Sequence, residues 1–187
     1  MNHPAICVVY HSGYGHTERI AQEVAAGASA TCIAINAEGE IPAEAWNTLT
    51  LADAIVFGSP TYMANVSWQF KRFLDASSAV WAKQAWKNKL AAGFTNSAGI
   101  NGDKLMTLQT MMVAAQQHGM IWASTGMMPS NLKASSREDV NYLASFTGLM
   151  TATPADASPQ EMHVGDLKTA SLFGQRVAEV ARLFRGA

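Results

Sequence analysis

The chain has 187 residues, 49% of them apolar and only 14% charged, with a formal net charge of −1. This length suits a single domain, residues 1–187, with a full hydrophobic core. The charge balance excludes a basic stripe for nucleic acid and a polybasic patch for a membrane surface. The first apolar run is short and has no basic leader, and no stretch nears the roughly 20 apolar residues of a membrane span, so a cytoplasmic protein is expected.

Residues 5–10, AICVVY, are short and rich in β-branched side chains, as a buried parallel strand requires. A loop follows, Ser12-Gly13-Tyr14-Gly15-His16-Thr17, and then an amphipathic helix expected over residues 17–28 with Ile20, Val24 and Ala28 inward. Thr17 is placed to cap this helix, whose unpaired N–H groups and positive dipole end face the loop. The amides of Gly13 through Thr17 and the hydroxyls of Ser12 and Thr17 can together gather a phosphate. A glycine-bearing turn of this kind also occurs without any ligand.

Residues 31–36 read as a second strand, 42–51 as a short helix behind Pro42, and 54–58 as a buried third strand. Its outgoing loop contains Pro60, Thr61, Tyr62 and Met63. The last two offer either a wall for a flat aromatic ligand or filling for the core beneath the next helix. That helix is expected over 66–76, with Val66, Phe70, Phe73 and Leu74 inward. A fourth strand, 90–95, ends in the amide-rich stretch Asn96-Ser97-Ala98-Gly99-Ile100-Asn101, which is either a ligand-facing loop or plain surface.

A helix over 104–118 starts near Asn101 or Asp103 and stops at Gly119, with His118 in the ordinary place of a capping cation. Residues 120–124 read as a fifth strand. The polar segment 125–165, which includes TATPADASP, exceeds ordinary loop lengths and is expected to be functional or irregular. The last helix, 166–185, carries Ala170, Phe173, Val177, Val180, Ala181 and Phe184 on one face. Cys7 and Cys32 fall in strands without C-x-x-C spacing and read as buried, reduced thiols. The histidines show no metal-ligand spacing, so no metal is expected.

Strands alternating with helices specify a doubly wound parallel sheet, and such sheets bind ligands outside the carboxyl ends of their strands. With strand order 2-1-3-4-5, the loops after strands one, three and four meet at one crevice.

Those loops carry a family resemblance. The first resembles the flavodoxin phosphate loop [TS]-x-T-G-x-T, with Ser12, Gly15 and Thr17 on the pattern and Tyr14 replacing the middle threonine. Its form Ser12-Gly13-Tyr14-Gly15-His16 is similar to S-x-Y-G-H of the WrbA-type NAD(P)H:quinone oxidoreductases, a flavodoxin-like family. FGSPTYMANVSWQFKRFLD resembles that family's FG[ST]PTRFGNM stretch; Pro60 and Thr61 match, while Tyr62 stands where many members have arginine. QQHGM at Gln116 to Met120 resembles HHGM, and LDASSAVW resembles LDQTGGLW, which aligns Trp81 with a family tryptophan. Trp46, Trp68, Trp86 and Trp122 have no such counterpart and read as packing residues. The resemblance weakens over 127–165 and fails over 36–54, where the longer insertion of the tetrameric members is missing.

The resemblance implies an α/β, three-layer flavodoxin-like fold with a five-stranded parallel sheet of order 2-1-3-4-5. It implies FMN as cofactor and an oxidoreductase that passes electrons from NAD(P)H to quinones or similar acceptors by ping-pong hydride transfer. A homo-oligomer, dimer or tetramer, goes with it. Ser12, Gly13, Tyr14, Gly15, His16 and Thr17 would hold the phosphate. Pro60, Thr61, Tyr62 and Met63 with Asn96, Ser97, Ala98, Gly99 and Asn101 would hold the ring. Trp81 and His118 would shape the acceptor side, His118 orienting or protonating a quinone oxygen. Two alternatives remain: a one-electron carrier of the flavodoxin kind, against which the near-neutral charge counts, and a cofactor-free scaffold that binds partners.

Overall fold

The computed structural model describes residues 3–185. In chain order its elements are β1 (Ile6–Tyr10), α1 (His16–Ala28), β2 (Thr31–Ala34), α2 (Ala43–Leu51), β3 (Ala54–Tyr62), β4 (Asn65–Val66), α3 (Trp68–Ala76), α4 (Ser78–Trp81), β5 (Leu90–Ser97), α5 (Lys104–Gln117), β6 (Ile121–Trp122), β7 (Leu149–Ala152) and α6 (Val164–Arg185).

β1 is buried along its whole length because its alternate side chains enter two cores. Ile6, Val8 and Tyr10 pack with Ile20, Val24, Phe173 and Val177 in the α1–α6 layer. Cys7 and Val9 turn the other way, toward Phe70, Phe73, Trp86, Leu108 and Met111. The sheet runs β2-β1-β3-β5-β6, with all five strands parallel. This is the flavodoxin-like order expected from the sequence. α1 and α6 approach closely, since Gly27 faces the Ser171 carbonyl and Gly174 the Val24 carbonyl; a Cβ at either would strike backbone.

Several boundaries move. The fifth sheet position is filled twice. β6 covers only the beginning of β5, pairing Leu90 with Ile121 and Ala91 with Trp122. β7 resumes the same edge beside the end of β5, from Phe94↔Leu149 to Ser97↔Ala152. The fifth strand expected over 120–124 is therefore interrupted, and the 125–165 segment contains its second half. The intervening excursion is tied down by Thr125 N–H donating to Phe146 O at 3.1 Å and by the Arg137–Asp166 ion pair at 2.7 Å.

Val66, expected in a helix, pairs with Thr61 in the β3–β4 hairpin, and Ser67 caps α3 by accepting from Phe70 N–H at 3.3 Å. Cys32 is exposed rather than buried, because β2 is an edge strand. Trp86 is fully buried and Trp46 stacks on Phe73 at 5.3 Å, but Trp68 is exposed, at the solvent side of α3. Phe184 is likewise exposed in the last turn of α6. Among the described residues no helix is long and apolar enough to cross a membrane.

Candidate functional site

The β1–α1 turn is built by its own residues. Gly15 N–H donates to Ser12 Oγ at 3.1 Å, and Gly15 takes a left-handed φ of 86° that a side chain would strain. α1 consequently starts at His16, and Thr17 is its second residue rather than its cap. Among the described residues no acceptor meets the N–H groups of Gly13, Tyr14, His16, Thr17 or Glu18. These donors lie in the turn before α1 and in its first turn, at the positive end of the helix, a position suited to a phosphate. His16 spends its side chain elsewhere: Nε2 lies 2.7 Å from Ala157 O and tethers the chain beyond β7.

β3 runs four residues past its expected end at Gly58 and turns back into β4. The two-residue loop, Met63-Ala64, has φ values of 46° and 66°, so both residues are left-handed as in a type I′ turn. This turn stands Tyr62 beside the phosphate loop, edge-on to Tyr14 with ring centroids 6.3 Å apart. Burial, with Tyr14 adjacent, pushes the Tyr62 hydroxyl above its ordinary pKa and keeps it a neutral donor. Thr61 turns its hydroxyl into the protein, 2.8 Å from Thr95 Oγ1 and 2.7 Å from Thr107 Oγ1. Met63 is fully exposed, and its side chain is no wall of the cleft.

At the end of β5, Asn96 is buried and its Oδ1 accepts from Thr151 Oγ1 at 2.8 Å and Thr153 Oγ1 at 3.0 Å. That side chain holds β7 rather than reaching toward a ligand through Oδ1. Beyond it, Thr153 and Ala155 form a fourth wall that sequence reasoning missed. Their signal was the short apolar run LMTA directly before TPADAS, a strand-to-loop transition inside a polar segment.

Tyr14, His16, Thr17, Pro60, Thr61, Tyr62, Asn96, Ser97 and Ala98 thus meet Thr153 and Ala155 in one cleft of about 170 Å³. Among the described residues no carboxylate lines it. Ser12, Gly13 and Gly15 shape the adjoining turn from outside this lining, and Gly99 and Asn101 also lie outside it, their carbonyls turned onto Lys104 Nζ.

Trp81 and His118 do not join that cleft within one chain. They line a separate groove of about 560 Å³ between α3, α4 and α5, with Leu74, Met106 and Val113. α5 follows the loop after β5, and its 14 residues, at 1.5 Å each, carry His118 about 20 Å from that loop, with one side of the helix lining the groove from Met106 to Gln117. There His118 is buried on Trp86, its Nε2 lies 2.9 Å from Ser77 Oγ, and burial lowers its pKa.

The cleft's residues fit flavin mononucleotide. Unpaired main-chain donors at the start of α1 suit its phosphate, which carries nearly two negative charges. Tyr14, Pro60 and Tyr62 supply aromatic and apolar surface beside it, and a lining without carboxylates adds no repulsion.

Comparisons with known proteins show the family and the fold. A family model described as NADPH-dependent FMN reductase matches residues 36–132. The chain is 49% identical over 175 residues to flavodoxin FldP of Pseudomonas aeruginosa, covering 94% of this chain and 95% of that one. It is 29% identical over 202 residues to an NAD(P)H dehydrogenase (quinone) of Geotalea uraniireducens, covering 94% and 97%. The crystal structure of a flavodoxin, WrbA-like protein from Agrobacterium tumefaciens is similar with a TM-score of 0.81 and 48% identity, over 96% of this chain and 98% of that one.

Proposed function

The chain belongs to the NADPH-dependent FMN reductase family, with WrbA-like flavodoxins among its relatives, and from that we propose an FMN-dependent enzyme that oxidises NAD(P)H and reduces a quinone or similar small acceptor. Bound FMN supplies the hydride-accepting and hydride-donating chemistry. The chain's residues do the holding. Amides of Gly13, Tyr14, His16 and Thr17, with the Ser12 and Thr17 hydroxyls, take the phosphate. Tyr62, Pro60 and the β5 loop from Asn96 take the ring.

The observation that carries the reading is a carboxylate-free cleft beside the unpaired N–H groups at the start of α1. At about 170 Å³ it is smaller than the roughly 300–1,000 Å³ of ordinary ligand sites, so in this reading it takes part of a flavin and leaves the rest on an open side. Two substrates can use that open side in turn, which is a ping-pong order. Trp81 and His118 can face the acceptor only from a second copy of the chain, so their proposed role and the proposed homo-oligomer stand together.

The 49% identity to a protein named flavodoxin supports a second reading, a one-electron carrier. Mixing the FMN-loaded protein with NADH or NADPH and benzoquinone separates the two. Rapid direct turnover supports the enzyme. Failure of both nucleotides to reduce the protein, alongside efficient reduction by a flavodoxin reductase, leaves the carrier.

A further inference from the structure

Lys104, the first residue of α5, is completely buried. Its ammonium donates to three consecutive backbone carbonyls, those of Gly99, Ile100 (2.9 Å) and Asn101 (3.2 Å). Among the described residues no carboxylate pairs with it; the charge of Asp166 acts on it, but Asp166 is bound to Arg137, whose charge opposes that effect. Burying an ammonium without a counter-ion is costly, and burial here pulls its pKa down to about 8. Three protons on three carbonyls satisfy its hydrogen bonding but do not neutralise its charge.

The carbonyl positions decide where the amides go. In a trans peptide the C=O and the following N–H point in opposite directions. Turning the carbonyls of 99, 100 and 101 onto Lys104 therefore aims the N–H groups of Ile100, Asn101 and Gly102 away from it. None of these three has an acceptor among the described residues. The loop starts at Ser97 and Ala98, which line the cleft at the end removed from the phosphate turn.

We propose that Lys104 is a positioning residue of the cofactor site: it folds the 99–101 carbonyls inward so that the following amides face the ligand, and it places a positive charge beneath the end of the cleft where a flavin ring gains electrons. A fixed charge there favours the electron-rich ring over the oxidised one. The inference rests on the cleft as an FMN site, and not on the identity of donor or acceptor.

The test compares Lys104→Met, which removes the charge at nearly constant length, with Lys104→Arg, which keeps it. FMN affinity is read by flavin fluorescence titration and the midpoint potential by equilibration with a reference dye. Lys104→Met is expected to weaken oxidised FMN about tenfold and reduced FMN about a hundredfold. That extra factor of ten lowers a two-electron potential by about 30 mV. Lys104→Arg is expected to restore most of the potential. A folded Lys104→Met with unchanged potential overturns the proposal, whether or not affinity falls, since a merely structural lysine weakens both forms equally.

A measurement on the unmodified protein stands beside the variants. Adding FMN is expected to slow amide exchange at Ile100, Asn101 and Gly102, and unchanged exchange there overturns the proposal even if Lys104→Met does not fold. A wild-type protein that binds no FMN overturns this inference and the proposed function together. Neutral Lys104 variants in an FMN-binding protein overturn this inference alone.

Discussion

The hydroxyl of Tyr62 rests on Gly13, in the space that a Cβ at residue 13 would occupy. Two loops far apart in sequence thereby touch at the mouth of the cleft, and the contact depends on a missing methyl group and a single oxygen. Gly13→Ala is expected to push Tyr62 away and weaken FMN binding about tenfold. Tyr62→Phe in the same chain should recover most of that loss, because the ring carbons lie farther off than the hydroxyl. A double-mutant cycle on FMN affinity measures this, with an expected interaction of roughly 1–2 kcal/mol; additive effects would show that the two loops are independent.

The phosphate turn makes a second prediction. A hydrogen bond to a charged group is worth about 1.5–3 kcal/mol, so Ser12→Ala with Thr17→Ala should weaken FMN binding by roughly a hundredfold or more. Ser12 does double service, since its oxygen also holds Gly15 N–H in the turn. Unchanged affinity in a flavin titration would remove the phosphate from this turn.

The Met63-Ala64 hairpin is strained. Each non-glycine residue in the left-handed region costs roughly 1–2 kcal/mol, and here two stand side by side. Ala64→Gly is expected to stabilise the protein by about 1 kcal/mol, raising Tm by about 2–4 °C for a chain of this size. A thermal melt that falls would mean that the turn is not of the left-handed type.

Stability should fall as pH drops from 6.5. Burial lowers the pKa of both His11 and His118 in the folded chain, so the unfolded chain takes up protons first. It binds more protons than the native state between the lowered values and the ordinary 6.5, and stability there rises with pH. Both histidines also carry a buried Nδ1 without a partner among the described residues. Urea midpoints at pH 7.5 and 5.5 are expected to differ less in a His11→Gln, His118→Gln variant than in wild type. An equal difference would assign the acid loss to other groups.

Much of the site could be read along the chain because its chemistry is local. A strand buried on both faces announces itself by β-branched residues, as in ICVVY, and the turn after it by hydroxyls and glycines within a few positions. Parallel pairing then forces the loops after β1, β3 and β5 to one sheet edge, whatever else the chain does. Cys32 and Trp68 were misplaced for the complementary reason. Their exposure depends on whether a strand lies at an edge and on which side of α3 faces a neighbour, and neither is written in adjacent residues.

The sequence alone determined the layered α/β architecture and the three loops that meet at the cleft, because strand burial and turn geometry are set by neighbours along the chain. Only the tertiary structure decided that β7 completes the sheet and brings Thr153 and Ala155 to the cleft. The same holds for Lys104, buried beneath the 99–101 loop, and for Trp81 and His118, set in another groove. Those placements follow from helix length, strand register and the need to satisfy buried charge, which act through space between residues that the sequence keeps apart.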